Sequence, residues 1–94
     1  MIQAEKLMIL KKDLQITTSA NDDLLNFLLE SSREEIIGEG IRLIENDIRS
    51  DAVNIQYAAY LFRKRASPQT AMPRFLRWEL NNMKFSEKYG GGGS

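Results

Sequence analysis

The chain has 94 residues, with 13 Lys or Arg, 13 Asp or Glu, and neither His nor Cys. A chain of this length forms one small domain whose core is near the lower limit for independent stability, so oligomerisation would help to stabilise it. Without His and Cys, the usual transition-metal ligands, disulfides and Ser-His or Cys-His nucleophile systems are excluded. We therefore expect neither enzymatic activity nor a cofactor.

Charge is distributed unevenly, although the net charge is zero. Residues 1–51 hold 11 acidic and 6 basic residues, a balance of −5, whereas residues 52–94 hold 7 basic and 2 acidic residues, a balance of +5. The two halves either attract each other within one domain or make contacts between copies. The chain has no signal-peptide pattern and no apolar run near the about 20 residues that span a membrane, so we expect a soluble intracellular protein.

The first part of the chain predicts two helices. Residues 4–14 have an amphipathic pattern in which leucines share one face and the polar side chains point outward: Lys6, Lys11, Lys12 and Asp13. Residues 21–37 have a clear apolar arc, with Ser19 or Asn21 as the N-cap, and Gly38 followed by Gly40 ends the helix. Phe27 lies at the edge of this arc, where it either flanks the core or contacts another subunit.

A loop-rich segment and a long third helix follow. Residues 40–49 predict either an extended piece or a tucked loop, with a turn near Asn46, and we expect the isoleucines of this segment to pack against the next helix. Residues 50–66 predict the central helix, which starts at Ser50 and Asp51. Its apolar residues form two opposite faces: Val53, Tyr57, Tyr60 and Leu61 on one, and Ile55, Ala58, Ala59 and Phe62 on the other. Such a helix is covered on two sides, by its own chain or by another subunit, and Asn54 falls on a polar strip between the faces.

The last part of the chain predicts a fourth helix of about 12 residues, with Pro73 in its first turn. Residues 85–94 predict a flexible arm whose Gly-Gly-Gly-Gly-Ser end has the composition of an engineered linker. The predicted fold is therefore all-α. It is a small four-helix domain over residues 1–84, with a loop-rich segment before the long third helix and a flexible C-terminal arm.

Basic residues gather around the connection between the last two helices: Arg63, Lys64, Arg65, Arg74 and Arg77. This cluster is either a solvated patch or a contact for phosphates or an acidic protein surface. A small helix-turn-helix DNA-binding regulator is an alternative function. The connection of about six or seven residues is longer than the usual turn of that motif, and the zero net charge argues against a tight DNA binder. A generic helical protein-interaction module is a third interpretation.

The order of the predicted helices resembles that of the head-tail connector (adaptor) proteins of long-tailed bacteriophages. The most specific stretches are YAAYLFRKR at 57–65 and MPRFLRWELNN at 72–82, within a likeness that covers roughly residues 5–88. The resemblance implies a ring of about a dozen copies docked on the portal protein at the capsid vertex. The ring would extend the DNA channel and present a platform to a tail-side connector or stopper protein.

The resemblance also implies where the contacts lie. In that family the C-terminal segment commonly reaches the portal, so we predict portal contacts at Phe85, Lys88 and Tyr89, although the Gly-rich end matches no family motif. Contacts between subunits or with the channel are predicted at a second set of residues: Arg63, Arg65, Arg74, Arg77 and Trp78. The expected location is the head-tail interface of the virion, after assembly in the host cytoplasm. The contact expected with passing DNA is non-specific, and none is expected with a membrane.

Overall fold

The computed structural model describes the backbone of residues 1–93 and the side chains of residues 1–86. These residues form four helices and no strand: α1 (Gln3–Leu14), α2 (Asp22–Gly38), α3 (Ile48–Ala66) and α4 (Arg74–Gly93). The predicted all-α, four-helix architecture is confirmed.

Helix α3 lies at the centre, because apolar side chains leave it on two opposite sides. On one side it packs with α1 and α2 in a buried cluster: Leu10, Leu25, Leu28, Leu29, Ile55, Ala58 and Ala59. On the other side it packs with α4, the end of α2 and the following loop in a second cluster: Ile36, Ile41, Val53, Tyr57, Leu76, Leu80 and Met83. The prediction of a helix with two covered faces is confirmed, and the same chain covers both faces.

Two polar residues that the helical patterns place in solvent are instead buried together between α1, α2 and α3. Lys6 is 7% exposed and Asn54 is 1% exposed, and Lys6 Nζ donates to Asn54 Oδ1 at 3.0 Å. Asn54 Nδ2 donates to Leu29 O at 2.9 Å and to Ser32 Oγ at 2.7 Å. Lys6 Nζ also lies 3.6 Å from Asp51 Oδ1. The prediction was wrong because periodicity within one helix does not show that polar groups on different helices satisfy each other.

The end of α2 uses the second of the two glycines that the pattern indicates. Gly38 is still helical, and the positive φ of 88° belongs to Gly40. The Ile41 N–H donates to the Ile36 carbonyl at 3.4 Å, and the Gly40 N–H donates to the Ile37 carbonyl at 2.9 Å, as in a Schellman motif. Ile36 and Ile41 then meet in the second cluster. At the other end of α2, Asn21 occupies the N-cap position, but its side chain makes no capping hydrogen bond to a described residue.

Helix α3 starts earlier than predicted, and its N-cap is Asp47 rather than Ser50. Asp47 Oδ2 accepts a hydrogen bond from the Ser50 N–H at 2.9 Å, while Ser50 Oγ accepts one from the Ile44 N–H at 2.9 Å. The predicted turn is present at Asn46, whose φ is 61°. Asp47 is the first residue after that turn with an extended backbone, the conformation of an N-cap, so it caps the helix before Ser50 can do so.

The loop before α3 packs only part of its apolar side chains on the core. Ile41 is 2% exposed and belongs to the second cluster, and Leu43 packs against its edge. Ile44 and Ile48 are 54% and 80% exposed. The prediction that this segment packs its isoleucines against α3 is therefore right for Ile41 and wrong for the other two.

Helix α4 begins after Pro73 and is longer than predicted. The Pro73 carbonyl accepts a hydrogen bond from the Arg77 N–H at 3.1 Å, so this proline precedes the first turn instead of lying in it. The helix packs on the second cluster through Leu76, Leu80 and Met83, and it continues through the turn that contains Phe85. Phe85, predicted to begin the arm, is therefore helical. The predicted contacts at Lys88 and Tyr89, and the Gly-rich end, fall outside the described side chains.

Candidate interaction surface

A groove lies between the C-terminal half of α3 and the first turns of α4. Its volume is about 610 Å³, and both helices and their connection line it: Tyr57, Tyr60, Met72, Arg74, Arg77, Trp78 and Asn81. Because Leu76 and Leu80 turn into the core, the lining residues of α4 recur at spacings of three and four on the other side of the helix. The packing of α4 on α3 thus creates a cleft that combines aromatic rings with guanidinium groups.

Arg77 is held at this groove by Glu39, the residue that follows α2. Its Nη1 donates to Glu39 Oε1 at 2.7 Å and its Nη2 donates to Oε2 at 3.1 Å, so the contact is bidentate. This hydrogen bonding lowers the pKa of Glu39 below its ordinary value and raises the pKa of Arg77. The charge of Arg77 is therefore already paired within the chain.

The other positive groups at the groove have no such partner. Arg74 is exposed and forms no ion pair with a described residue. Lys64 Nζ lies 5.6 Å from the centre of the Tyr60 ring, within the range of a cation–π contact. Tyr60 in turn meets Tyr57 edge to face, with 5.9 Å between ring centres. Burial raises the pKa of Tyr57, so its hydroxyl is a neutral hydrogen-bonding group at physiological pH.

Exposed aromatic rings continue the groove onto the outer side of α4. Phe75 and Trp78 are 62% and 59% exposed, and their ring centres are 6.1 Å apart. Phe85 lies seven residues after Trp78, hence on a similar side of the helix, and is 54% exposed. Neighbouring large aromatic side chains on the surface of a small domain are typical of an interaction site.

The structure separates the predicted contact residues into two groups. Arg74, Arg77 and Trp78 line the groove together. Arg63 instead points toward α1, where its Nη2 lies 3.2 Å from Asp13 Oδ2. Arg65 is exposed at the end of α3 and forms no ion pair with a described residue.

Sequence reasoning missed several residues of this surface. The helical pattern places Tyr57 and Tyr60 on a covered face of the central helix and does not indicate a groove beside them. A tyrosine hydroxyl needs a polar partner or water, so two tyrosines about one turn apart are a signal of a polar edge. Glu39 was missed because its pairing with Arg77 joins distant parts of the chain.

The outer face of α2 forms an acidic surface around Phe27. Phe27 is 62% exposed, so it does not flank the core. It borders a shallow pocket of about 440 Å³ together with neighbouring polar residues: Glu30, Ser31, Arg33 and Glu34. Asp23 lies four residues before Phe27, whereas Glu30 lies three residues after it and Glu34 seven residues after it. These spacings place the three carboxylates on the same side of the helix as Phe27. None of these three carboxylates forms an ion pair with a residue whose side chain is described.

Part of the charge asymmetry is neutralised within the chain. The pairs Arg63–Asp13 and Arg77–Glu39 both join the basic second half to the acidic first half. The intramolecular attraction considered for the two halves is therefore present. The groove and the face around Phe27 keep further charges of opposite sign that these pairs do not use.

The described part of the chain lacks a metal site and a membrane span. No three acidic, His or Cys side chains there are grouped so that they could hold a metal ion. No helix among those residues is long and apolar enough to cross a membrane. Comparisons of the chain with models of protein families, with curated proteins and with solved structures find no match.

Proposed function

We propose that this protein is a structural subunit of a bacteriophage head-tail connector. In this role it forms a homo-oligomeric ring on the portal, extends the DNA channel and presents a platform to a tail-side connector or stopper protein. Its contribution is structural rather than enzymatic, and DNA passes through the ring with non-specific contacts only. It acts at the head-tail interface of the virion, and it assembles there from the host cytoplasm.

The observation that carries the proposal is the surface built by α3 and α4. Phe75 and Trp78 are both more than half exposed and adjoin a groove that contains the unpaired Arg74. Exposed aromatic residues beside arginine are the composition of protein–protein contacts. All the lining residues of the groove belong to residues 57–65 or 72–82, the two stretches on which the resemblance to connector proteins mainly rests.

The proposal assigns different parts of this surface to different partners. The groove residues Arg74 and Trp78 face a neighbouring subunit or the channel, as does Arg65 at the end of α3. The later part of α4, from Phe85 onward, faces the portal. An aromatic side chain flanked by lysines offers apolar burial and charge to such a partner.

Co-expression with the portal protein encoded in the same genome tests this proposal. We expect the two proteins to co-purify, the complex to appear as a ring in electron micrographs, and the free chain to remain a monomer or a weak oligomer. The portal would then act as a template that stabilises the ring by mass action. Arg74→Glu should impair docking, whereas Lys12→Glu, an equal charge change on the exposed side of α1, should not.

A DNA-binding regulator would give different results in binding experiments. It would ignore the portal, select one duplex sequence from a random DNA pool and stay a monomer or dimer while bound. That combination of results would reject the connector proposal in favour of a regulator.

A further inference from the structure

We propose that the groove between α3 and α4 of one copy binds the outer face of α2 of the next copy, with Phe27 as the inserted side chain. This inference rests on the proposed function, because it names the surfaces through which ring subunits meet. It follows from the charge and shape of two surfaces that lie on different parts of the chain.

The groove requires an occupant that is apolar at its centre and negative at its margin. Its walls are the rings of Tyr57, Tyr60 and Trp78, which offer aromatic contact area. Arg74 and Lys64 provide positive charge at its edges that no described carboxylate pairs. The groove volume of about 610 Å³ is large enough to receive an aromatic side chain.

The face of α2 around Phe27 meets these requirements. Phe27 projects from a side of the helix that carries Asp23, Glu30 and Glu34, and all three carboxylates are exposed. Arg33 borders the same pocket, so three negative groups stand against one positive group there. Burial of an exposed aromatic residue supplies the main favourable term in such a contact. The opposite charges around the ring and the groove would steer the two surfaces together and fix their orientation.

The exposed apolar side chains of α1 fit the groove less well. Met8 and Ile9 are exposed, but Lys12, which forms no ion pair with a described residue, follows them on the same helix and would repel the groove. Among the described residues, the remaining exposed aromatic side chains belong to α4, beside the groove itself. Phe27 is thus the one exposed aromatic residue outside α4 in that part of the chain.

The positions of the two surfaces allow a chain of contacts. Helix α2 packs on one side of α3, and the groove lies where α4 packs on the other side. One copy can therefore use its groove and its Phe27 face at the same time, with two different neighbours. Contacts of this heterologous kind close into a ring when the rotation between copies permits it.

Directed disulfide formation tests the pairing, since the chain has no Cys of its own. Ser31→Cys places a thiol beside Phe27, and Asn81→Cys places one in the groove. The two single variants are mixed in equal amounts and oxidised, once as free protein at high concentration and once in complex with the portal. In both cases we expect the mixed disulfide to exceed the half of all disulfides that random pairing would give. Lys12→Cys, mixed with Asn81→Cys, supplies the background yield.

Charge exchange tests the same contact independently. Lys64→Glu with Arg74→Glu, or Glu30→Lys with Glu34→Lys, should each lower the excess of the mixed disulfide over its random share about tenfold or more. Combining all four changes in both cysteine variants should restore the yield. A fourfold variant that keeps the wild-type helical signal but does not regain the disulfide overturns the inference.

The outcomes separate this inference from the proposed function. If a ring forms on the portal while the mixed disulfide stays at background, the inference is wrong and the connector function stands. If the disulfide forms selectively in the free chain while the portal is not bound, the contact stands and the connector function fails.

Discussion

Asn54 is the residue that joins α3 to both α1 and α2 by hydrogen bonds. Its amide oxygen accepts from Lys6, and its amide nitrogen donates to α2 at two points. Ser32 Oγ in turn donates a hydrogen bond to the Asn54 backbone carbonyl at 3.1 Å. Because each partner is buried and would be costly to leave unsatisfied, the network favours one register of the three helices over others.

Replacement of Asn54 by Ala should lower the free energy of unfolding by about 2–4 kcal/mol. The change leaves Lys6 Nζ without its hydrogen bond and the Leu29 carbonyl without the amide donor, both inside the protein. Urea unfolding followed by circular dichroism measures this loss. Asn81→Ala makes the same change at an exposed position of α4 and should alter stability by no more than about 0.5 kcal/mol. Similar losses in the two variants would contradict the importance of the network.

The pair formed by Glu39 and Arg77 predicts a pH dependence of stability. Arg77 lowers the pKa of Glu39 in the folded state, so the pair contributes stability above the ordinary carboxyl pKa of about 4.3 and loses it as pH falls through the lowered value. Arg77→Met should therefore reduce the free energy of unfolding at pH 7 by about 1 kcal/mol or less, since solvent screens the pair. The difference in the free energy of unfolding between Arg77→Met and wild type should become smaller as the pH is lowered toward about 3.

Arg74→Met is the matched control for that measurement, because Arg74 forms no ion pair with a described residue. Urea unfolding at both pH values should show a difference from wild type that does not close on acidification. If Arg77→Met loses as much free energy of unfolding at low pH as at neutral pH, the loss comes from packing and not from the ion pair.

At the scale of helices, patterns within one segment predicted the fold well. The two faces of α3 follow directly from apolar spacing, because each face needs only its own helix to be recognised. The first residue of α3 did not follow from such a pattern. Its cap depends on the turn at Asn46, which leaves Asp47 extended.

The candidate surface was predictable only in part, for a related reason. Arg74 and Trp78 were identified because they stand out on one helix as basic and aromatic residues. The partner of Arg77 is Glu39, 38 positions away, and the groove exists only after α4 has packed on α3. Contacts between distant segments have no signature in the spacing of either segment.

Two glycines near the end of α2 provide a test of its termination. Gly40 has a φ of 88°, which any residue with a Cβ adopts at a cost, so Gly40→Ala should destabilise the protein by about 1–2 kcal/mol. Gly38 is helical, and a Cβ added there meets no described atom within 4 Å. Gly38→Ala should therefore stabilise it by about 0.5–1 kcal/mol. Thermal unfolding of both variants measures the contrast, and the same sign for both would refute this account of the α2 end.

For the molecule as a whole, the second covering of α3 comes from its own chain and not from a neighbour. The exposed aromatic residues of the described part of the chain lie on the outer sides of α2 and α4, the two surfaces that we propose as contacts. A domain of this size gains stability when such surfaces are buried against other copies. Its architecture therefore suits a subunit whose final stability depends on assembly.

The C-terminal end of α4 gives the last test of the proposed assembly. The buried stripe of α4 among the described residues ends at Met83, and Phe85 and Ser86 are exposed. Removal of residues 85–94 should therefore shift the thermal midpoint by no more than about 4 °C, while the helical signal falls only by the share of the residues removed. We expect the shortened chain to lose co-purification with the portal.

Removal of residues 90–94 alone is the matched control for that truncation. It deletes the Gly-rich end but keeps Phe85, Lys88 and Tyr89, so the protein should still bind the portal. If the chain without residues 85–94 unfolds, this end of α4 is part of the folded core. If it binds the portal as well as the full chain does, the docking contact must lie on the earlier helical surface, with the groove beside Trp78 as the next candidate.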